Sequence, residues 1–182
     1  MKRFTFNFKI LFVIVGISVI AFGGATWYLG GSESAPKGSV SRVPLQRVPD
    51  LSFQDYNGNA ISLADFKGKP MVVNAWAAWC PFCGKELQDF ANIQKELGER
   101  VVIIAVDRAE PLDAAKGLTD KLGVTSDIIF VLDPSDSFYT AISGFSMPET
   151  IFVDSDGFIR QHRRGPMDVN EMRERIVRLI EQ

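Results

Sequence analysis

The chain has 182 residues, enough for one globular domain and an appendage. A net charge of −2 leaves no basic excess of the kind that nucleic-acid binding requires. Two cysteines allow a single bridge, and with His162 as the one histidine the four ligands of a structural zinc site are not available.

The chain opens with Lys2, Arg3 and Lys9 among aromatics, then runs from 10 to 31 without a charge (ILFVIVGISVIAFGGATWYLGG). As a helix, that run would cross a hydrocarbon core of about 30 Å. The basic flank predicts that residues 1–9 stay in the cytoplasm while the remainder emerges outside, with Trp27 and Tyr28 at the outer interface. This describes a single-pass anchor in the cytoplasmic membrane. A cleaved signal peptide is the competing reading, with 10–22 as its apolar region and small residues near 21–23 at the cleavage point. Either route places the domain outside the cytoplasm, where disulfides persist. Residues 32–47 carry Ser, Gly, Pro and Lys without apolar periodicity and are expected to tether the domain. The domain itself is expected over 48–182.

Within it, Leu51-Ser52-Phe53 leads into Asn57-Gly58, a strong hairpin signal, and Ile61 and Leu63 carry the return. Residues 71–76 (MVVNAW) read as a buried strand. A helix follows from Pro81, with Leu87, Phe90, Ile93 and Leu97 at helical spacing, and ends near Gly98. A second continuous apolar strand covers 101–106, a helix 111–122 stops at Gly123, and a third buried strand covers 128–132. A short helix is expected over 136–142. Residues 150–153 form a strand, 154–157 a turn, and 158–162 the hairpin partner. Asp168 caps a final helix whose Val169, Met172, Ile176, Leu179 and Ile180 make one apolar stripe. The alternation predicts an α/β fold, with a central mixed sheet, helices on both faces and an N-terminal hairpin extension.

The cysteines sit together in Trp79-Cys80-Pro81-Phe82-Cys83. A C-x-x-C beside a βαβ pattern reads as a redox motif, with a fragment of a metal site as its rival. Proline is favoured at the first helical position, which places Cys80 at a helix N-terminus. There the partial positive charge favours a thiolate and lowers a cysteine pKa from ~8.5 into the ~3.5–7.5 range. Cys80 is therefore the expected nucleophile, and Cys83, one turn on and more buried, the resolving thiol. Trp79 and Phe82 flank the sulfurs as a docking surface or as core. Trp79 is expected half-exposed and Trp76 buried.

The segment 72–83 (VVNAWAAWCPFC) resembles the active-site stretch of thioredoxin-fold proteins, and more specifically the membrane-anchored TlpA/ResA/CcmG (DsbE) branch. A second stretch, 146–154 (SMPETIFVD), resembles the P-E-T-F-hydrophobic-D segment of the cytochrome c maturation thioredoxins. The resemblance covers about residues 48–182. It implies that Pro148 is a cis proline beside the disulfide, keeping a backbone edge open for an extended substrate, with Met147 lining that groove. It also matches Glu86, three residues beyond Cys83, to an acid that tunes the sulfurs. The alternative for Glu86 is a solvated first-turn glutamate, favourable to the helix dipole. Asn74 stands where ordinary thioredoxins carry a buried aspartate, and an amide cannot act as a base. Glu149, after Pro148, has a similar match to a family acid, but its physics favours an exposed charge at the start of a strand, and His162, beside Arg160, Arg163 and Arg164, is expected on a solvated face.

Three functions compete. The first is a tethered extracytoplasmic thiol-disulfide oxidoreductase with no cofactor, acting on disulfide-containing clients. The resemblance points to reduction, with apocytochrome c as client and a membrane electron donor of the thiol-transporter type. The second is a disulfide-forming oxidant on the same scaffold. The third is a Cu(I)-handling module using Cys80, Cys83 and Met147, since soft sulfur ligands suit that ion.

Overall fold

The computed structural model describes residues 46–182. The expected anchor over 10–31 lies outside them, as does the tether up to residue 45. Among the described residues no helix is long and apolar enough to cross a membrane. The last two tether positions pair with the domain: Ile159 N donates to Gln46 O at 2.8 Å, and Arg47 bridges Phe158, its guanidinium 4.2 Å from the ring centre.

Seven strands form one mixed sheet in the order β2-β1-β5-β4-β3-β6-β7. The first two, β1 (Ser52–Asp55) and β2 (Ala60–Ser62), make the expected hairpin. Asp55 stabilises its turn by accepting from the Asn57 and Asn59 N–H groups, both at 2.8 Å. A 3-10 turn at Leu63–Phe66, absent from the sequence expectations, follows β2 and is closed by a capping box between Ser62 and Asp65. At the centre, β3 (Met71–Trp76), β4 (Val102–Arg108) and β5 (Ile129–Asp133) run parallel. Connections between them run through α1 (Cys83–Leu97) and α2 (Leu112–Leu122). A short α3 (Ser137–Ala141) precedes the antiparallel pair β6 (Glu149–Val153) and β7 (Ile159–Arg164), and α4 (Val169–Ile180) ends the chain. The Asp168 side chain caps α4 by accepting from Asn170 N and Glu171 N. At the other end of α2, Gly123 takes the left-handed conformation (φ 71°) that closes a helix.

Side chains alternate across the sheet with the period of two that strands impose. Val72, Trp76, Ile103, Ala105, Phe130 and Phe152 face α1, α2 and α4. Met71, Val73, Ala75, Ile104, Val106, Ile151 and Val153 face α3 and the 3-10 turn. Every residue of β3 is buried on both faces, hence the unbroken apolar run there. Phe90 is fully buried between α1 and the sheet, and truncating such a residue to alanine costs about 3–5 kcal/mol. This rigid frame holds the β3–α1 loop and the α3–β6 loop.

Candidate active site

Cys80 and Cys83 are joined by a disulfide, their Cα atoms 5.4 Å apart. Cys80 is 4 % exposed and Cys83 fully buried, the order expected of attacking and resolving thiols. The helix begins at Cys83 rather than at Pro81. Residues 80–82 form a turn in which Cys83 N donates to Cys80 O at 3.3 Å. No side chain caps α1, and the segment ahead of Cys83 closes as this turn in place of a regular helical turn. Trp79 and Phe82 are 62 % and 56 % exposed and flank the pair as an open apolar rim, whereas Trp76 is fully buried.

The Met147–Pro148 peptide bond is cis. Met147 is half-buried and packs against the same apolar cluster that contains both cysteines. Among the described residues neither the N–H nor the C=O of Met147 has a hydrogen-bond partner. Pro148 O, by contrast, accepts from Gly165 N at 2.9 Å. An open backbone edge therefore sits immediately before β6.

Glu86 is 1 % exposed, which rules out the solvated first-turn alternative. It lies on the face of α1 that carries Cys83, three positions on. Its Oε1 accepts from Met167 N at 2.8 Å, and its Oε2 from Asn74 Nδ2 at 3.2 Å. Asn74 Nδ2 also donates to Thr150 Oγ1 at 2.9 Å, while Asn74 Oδ1 is buried without a partner. Burial pushes the Glu86 carboxyl up to about 7, against the opposing pull of its two hydrogen bonds and of Arg163. Asn74 cannot replace a catalytic aspartate, but it ties β3 to a carboxyl poised to gain or lose a proton near neutrality.

The expectation of an exposed Glu149 is overturned: the residue is fully buried. Its place at the start of β6 turns its side chain inward, where Oε2 accepts from Phe145 N at 2.8 Å and Ser146 N at 3.0 Å. Oε1 accepts from Arg164 Nε at 3.1 Å, its direct cross-strand neighbour in β7. His162 is likewise not a free surface residue. Its Nε2 stands 2.6 Å from Glu149 Oε1, a close contact rather than an aligned hydrogen bond.

A further pair went unnoticed in the sequence. Asp107, fully buried at the end of β4 and paired with Trp76 of β3, accepts from Glu110 N at 3.2 Å. Glu110 Oε2 accepts from Ala78 N at 2.5 Å and so holds the loop that presents Trp79 and Cys80. Burial raises the Asp107 carboxyl well above its ordinary range, and the Glu110 carboxyl beside it adds to the effect. The available signal was an Asp ending an otherwise apolar strand, with a second acid three positions on.

Comparison with known proteins decides the family. A Redoxin profile matches residues 45–178. The chain belongs to the Redoxin family. It is 30% identical over 123 residues to the thiol-disulfide oxidoreductase ResA of Geobacillus kaustophilus, covering 66% of this chain and 68% of that one. To the thiol:disulfide interchange protein DsbE of Vibrio cholerae it is 27% identical over 179 residues, covering 96% and 95%. The fold matches a putative DsbE from Chlorobium tepidum with a TM-score of 0.69 at 18% identity, over 75% of this chain and 96% of that one. The thioredoxin fold is therefore present, and the chain is a thiol-disulfide oxidoreductase of the ResA/DsbE type with Cys80 and Cys83 as its redox pair.

Proposed function

We propose that the protein is a membrane-tethered reductant of client disulfides on the outer face of the cytoplasmic membrane. The observation that carries the direction is the buried Glu86 carboxyl, one helical turn beyond Cys83. When ionised it opposes a thiolate on the same helix face, and when protonated it can supply or receive the exchanged proton. A less stable thiolate makes the dithiol a stronger reductant. The apolar 10–31 run supports the tether, and the resemblance of 146–154 to the cytochrome c maturation thioredoxins points to apocytochrome c as a client.

The exchange proceeds in two displacements. The Cys80 thiolate attacks one sulfur of the client disulfide, forming a mixed disulfide and releasing the other client sulfur as thiolate. The Cys83 thiolate then attacks the Cys80 sulfur, closing the Cys80–Cys83 disulfide and releasing the second client sulfur. The client gains two electrons and two protons, and a membrane thiol donor returns two electrons to the protein. Trp79, Phe82 and Met147 line the approach, and the free Met147 backbone beside Pro148 pairs with the extended client chain.

Replacing Cys83 with Ser in the full chain removes the second displacement. The variant is expected to accumulate client adducts through Cys80 that are released by dithiothreitol, with c-type apocytochromes among them. Failure of Cys83→Ser to hold any adduct that Cys80→Ser lacks would overturn the exchange mechanism.

A further inference from the structure

The loop over 142–148 brings Met147 to the apolar cluster that contains both cysteines, and it is fixed from several directions at once. Ser143 takes a left-handed backbone (φ 54°) and its carbonyl accepts from Arg164 Nη2 at 3.5 Å. Gly144 N donates to Tyr139 O at 2.8 Å, and Gly144 lies against the Tyr139 ring so closely that an added Cβ would overlap it. Tyr139 OH donates to Ser146 O at 3.1 Å. The next two N–H groups, of Phe145 and Ser146, both end on Glu149 Oε2. What the loop displays is Phe145, 85 % exposed, one of the four large exposed apolar side chains of the described residues. Trp79 and Phe82 of the disulfide loop are two of the others.

A loop this heavily fixed while exposing an aromatic is unlike a surface connection formed only to join two elements. Such loops ordinarily expose small polar residues and remain mobile. Here a fully buried carboxylate, anchored by Arg164 and His162 of β7, carries its hydrogen-bonding capacity out to the backbone of Phe145 and Ser146. Ordering before binding is what reduces the entropy lost when an extended chain docks.

We propose that Glu149 is a positioning residue for client recognition: held by Arg164 and His162, it fixes the 142–148 loop so that the Met147 backbone edge and the Phe145 ring meet an extended polypeptide disulfide. The proposal rests on the client-reductant reading above and adds what selects the client. A polypeptide with an apolar side chain near its disulfide uses the Met147 edge and Phe145. A small disulfide uses neither. Glu149 therefore acts on the ratio of the two activities rather than on the sulfur chemistry.

The test uses the reduced full chain in mild detergent with two oxidised substrates. One is a peptide of about a dozen residues with an internal disulfide flanked by Leu and Phe; the other is hydroxyethyl disulfide. Three variants are compared: Glu149→Gln, which turns an N–H₂ onto groups that are all donors; Gly144→Ala, which drives the loop off the Tyr139 ring; and Phe145→Ser at the exposed tip, where folding is not at risk. Each is expected to lower the ratio of kcat/KM for the peptide to that for the small disulfide by at least tenfold, mainly through KM. The dithiol potential of Glu149→Gln should match that of the parent. An unchanged ratio in Phe145→Ser and Gly144→Ala, or an equal loss on both substrates in Glu149→Gln with a shifted potential, would overturn the positioning role. Failure of the unaltered protein to reduce either substrate would instead overturn the function on which the proposal rests.

Discussion

Two buried glutamates stand on opposite faces of the sheet, one on the helix that carries Cys83 and one next to Pro148, and the chain treats them differently. Glu86, on the face shared with α1 and α4, receives only neutral donors: a backbone N–H from Met167 and the Asn74 amide. Burial consequently dominates, and its carboxyl titrates near 7. Glu149, on the face shared with α3, accepts from the Arg164 guanidinium on one oxygen, which the His162 ring also approaches, and from two backbone N–H groups on the other. The same residue type, equally buried, meets only neutral donors in one surrounding and a guanidinium with two aligned backbone N–H groups in the other. The partners set the difference: where a carboxyl is buried among neutral donors, as Glu86 is, burial raises it.

The difference is sharpest in the amide variants. Glu149→Gln presents N–H₂ to a set of donors, among them the backbone N–H groups of Phe145 and Ser146. It is expected to cost about 3–4 kcal/mol in urea unfolding of the oxidised protein, the order of two buried donors left unsatisfied at about 1–3 kcal/mol each. Glu86→Gln is expected to be within about 1 kcal/mol of the parent at pH 8, or more stable. Asn74 Oδ1 is buried without a partner, so the Asn74 amide can turn to accept from the new N–H₂ and from the Thr150 hydroxyl. Equal losses in the two variants would break the comparison.

Acidity gives the next largest effect. The Glu86 carboxyl is raised from an ordinary 4.5 to about 7 in the folded state, so the folded protein binds a proton that the unfolded chain has released. Its contribution is fully present below pH 4.5 and is lost as pH rises through 7, a change of about 3 kcal/mol across that window. Unfolding curves of the oxidised parent and Glu86→Gln between pH 4 and 8 should diverge in that sense, with the parent losing relative stability as pH rises. Parallel curves would place Glu86 among the paired carboxylates.

A smaller effect is expected behind the disulfide loop. In Glu110→Gln the amide oxygen can still accept from Ala78 N, while the neighbouring carboxyl no longer acts on Asp107. The Asp107 titration, followed by carboxyl carbon NMR, should move down toward the ordinary range without reaching it, because burial remains. The smallest stability change belongs to Trp79→Ala, on a side chain 62 % exposed, expected within about 0.5 kcal/mol of the parent.

The sequence revealed most where function is local in the chain. The C-x-x-C, the proline beside it, the buried strand ahead of it and the Pro148 segment are short motifs, and each falls in the structure near its expected place. The two glutamates show what short motifs cannot carry. A first-turn glutamate satisfies the helix dipole whether it is wet or buried, so the position of Glu86 left two readings open. Its burial depends on the 165–167 loop folding over it, some 80 positions along the chain. Glu149 follows a proline and starts a strand, a pattern that fits an exposed charge. Only the register of β7, which sets Arg164 opposite it, turns it into an anchor. His162 was misread for the same reason: its partner is a strand away. The hairpin, by contrast, was legible because Asn57-Gly58 specifies its turn without help from the rest of the molecule.

The central claim is that this dithiol is built to reduce. The direct measurement is the potential of the Cys80–Cys83 couple in the full chain, equilibrated against defined thiol buffers at pH 7. A value near or below about −250 mV, in the range of thioredoxin, is expected of a reductant. A value between about −120 and −180 mV would make the protein a disulfide-forming oxidant or an isomerase and would contradict the account.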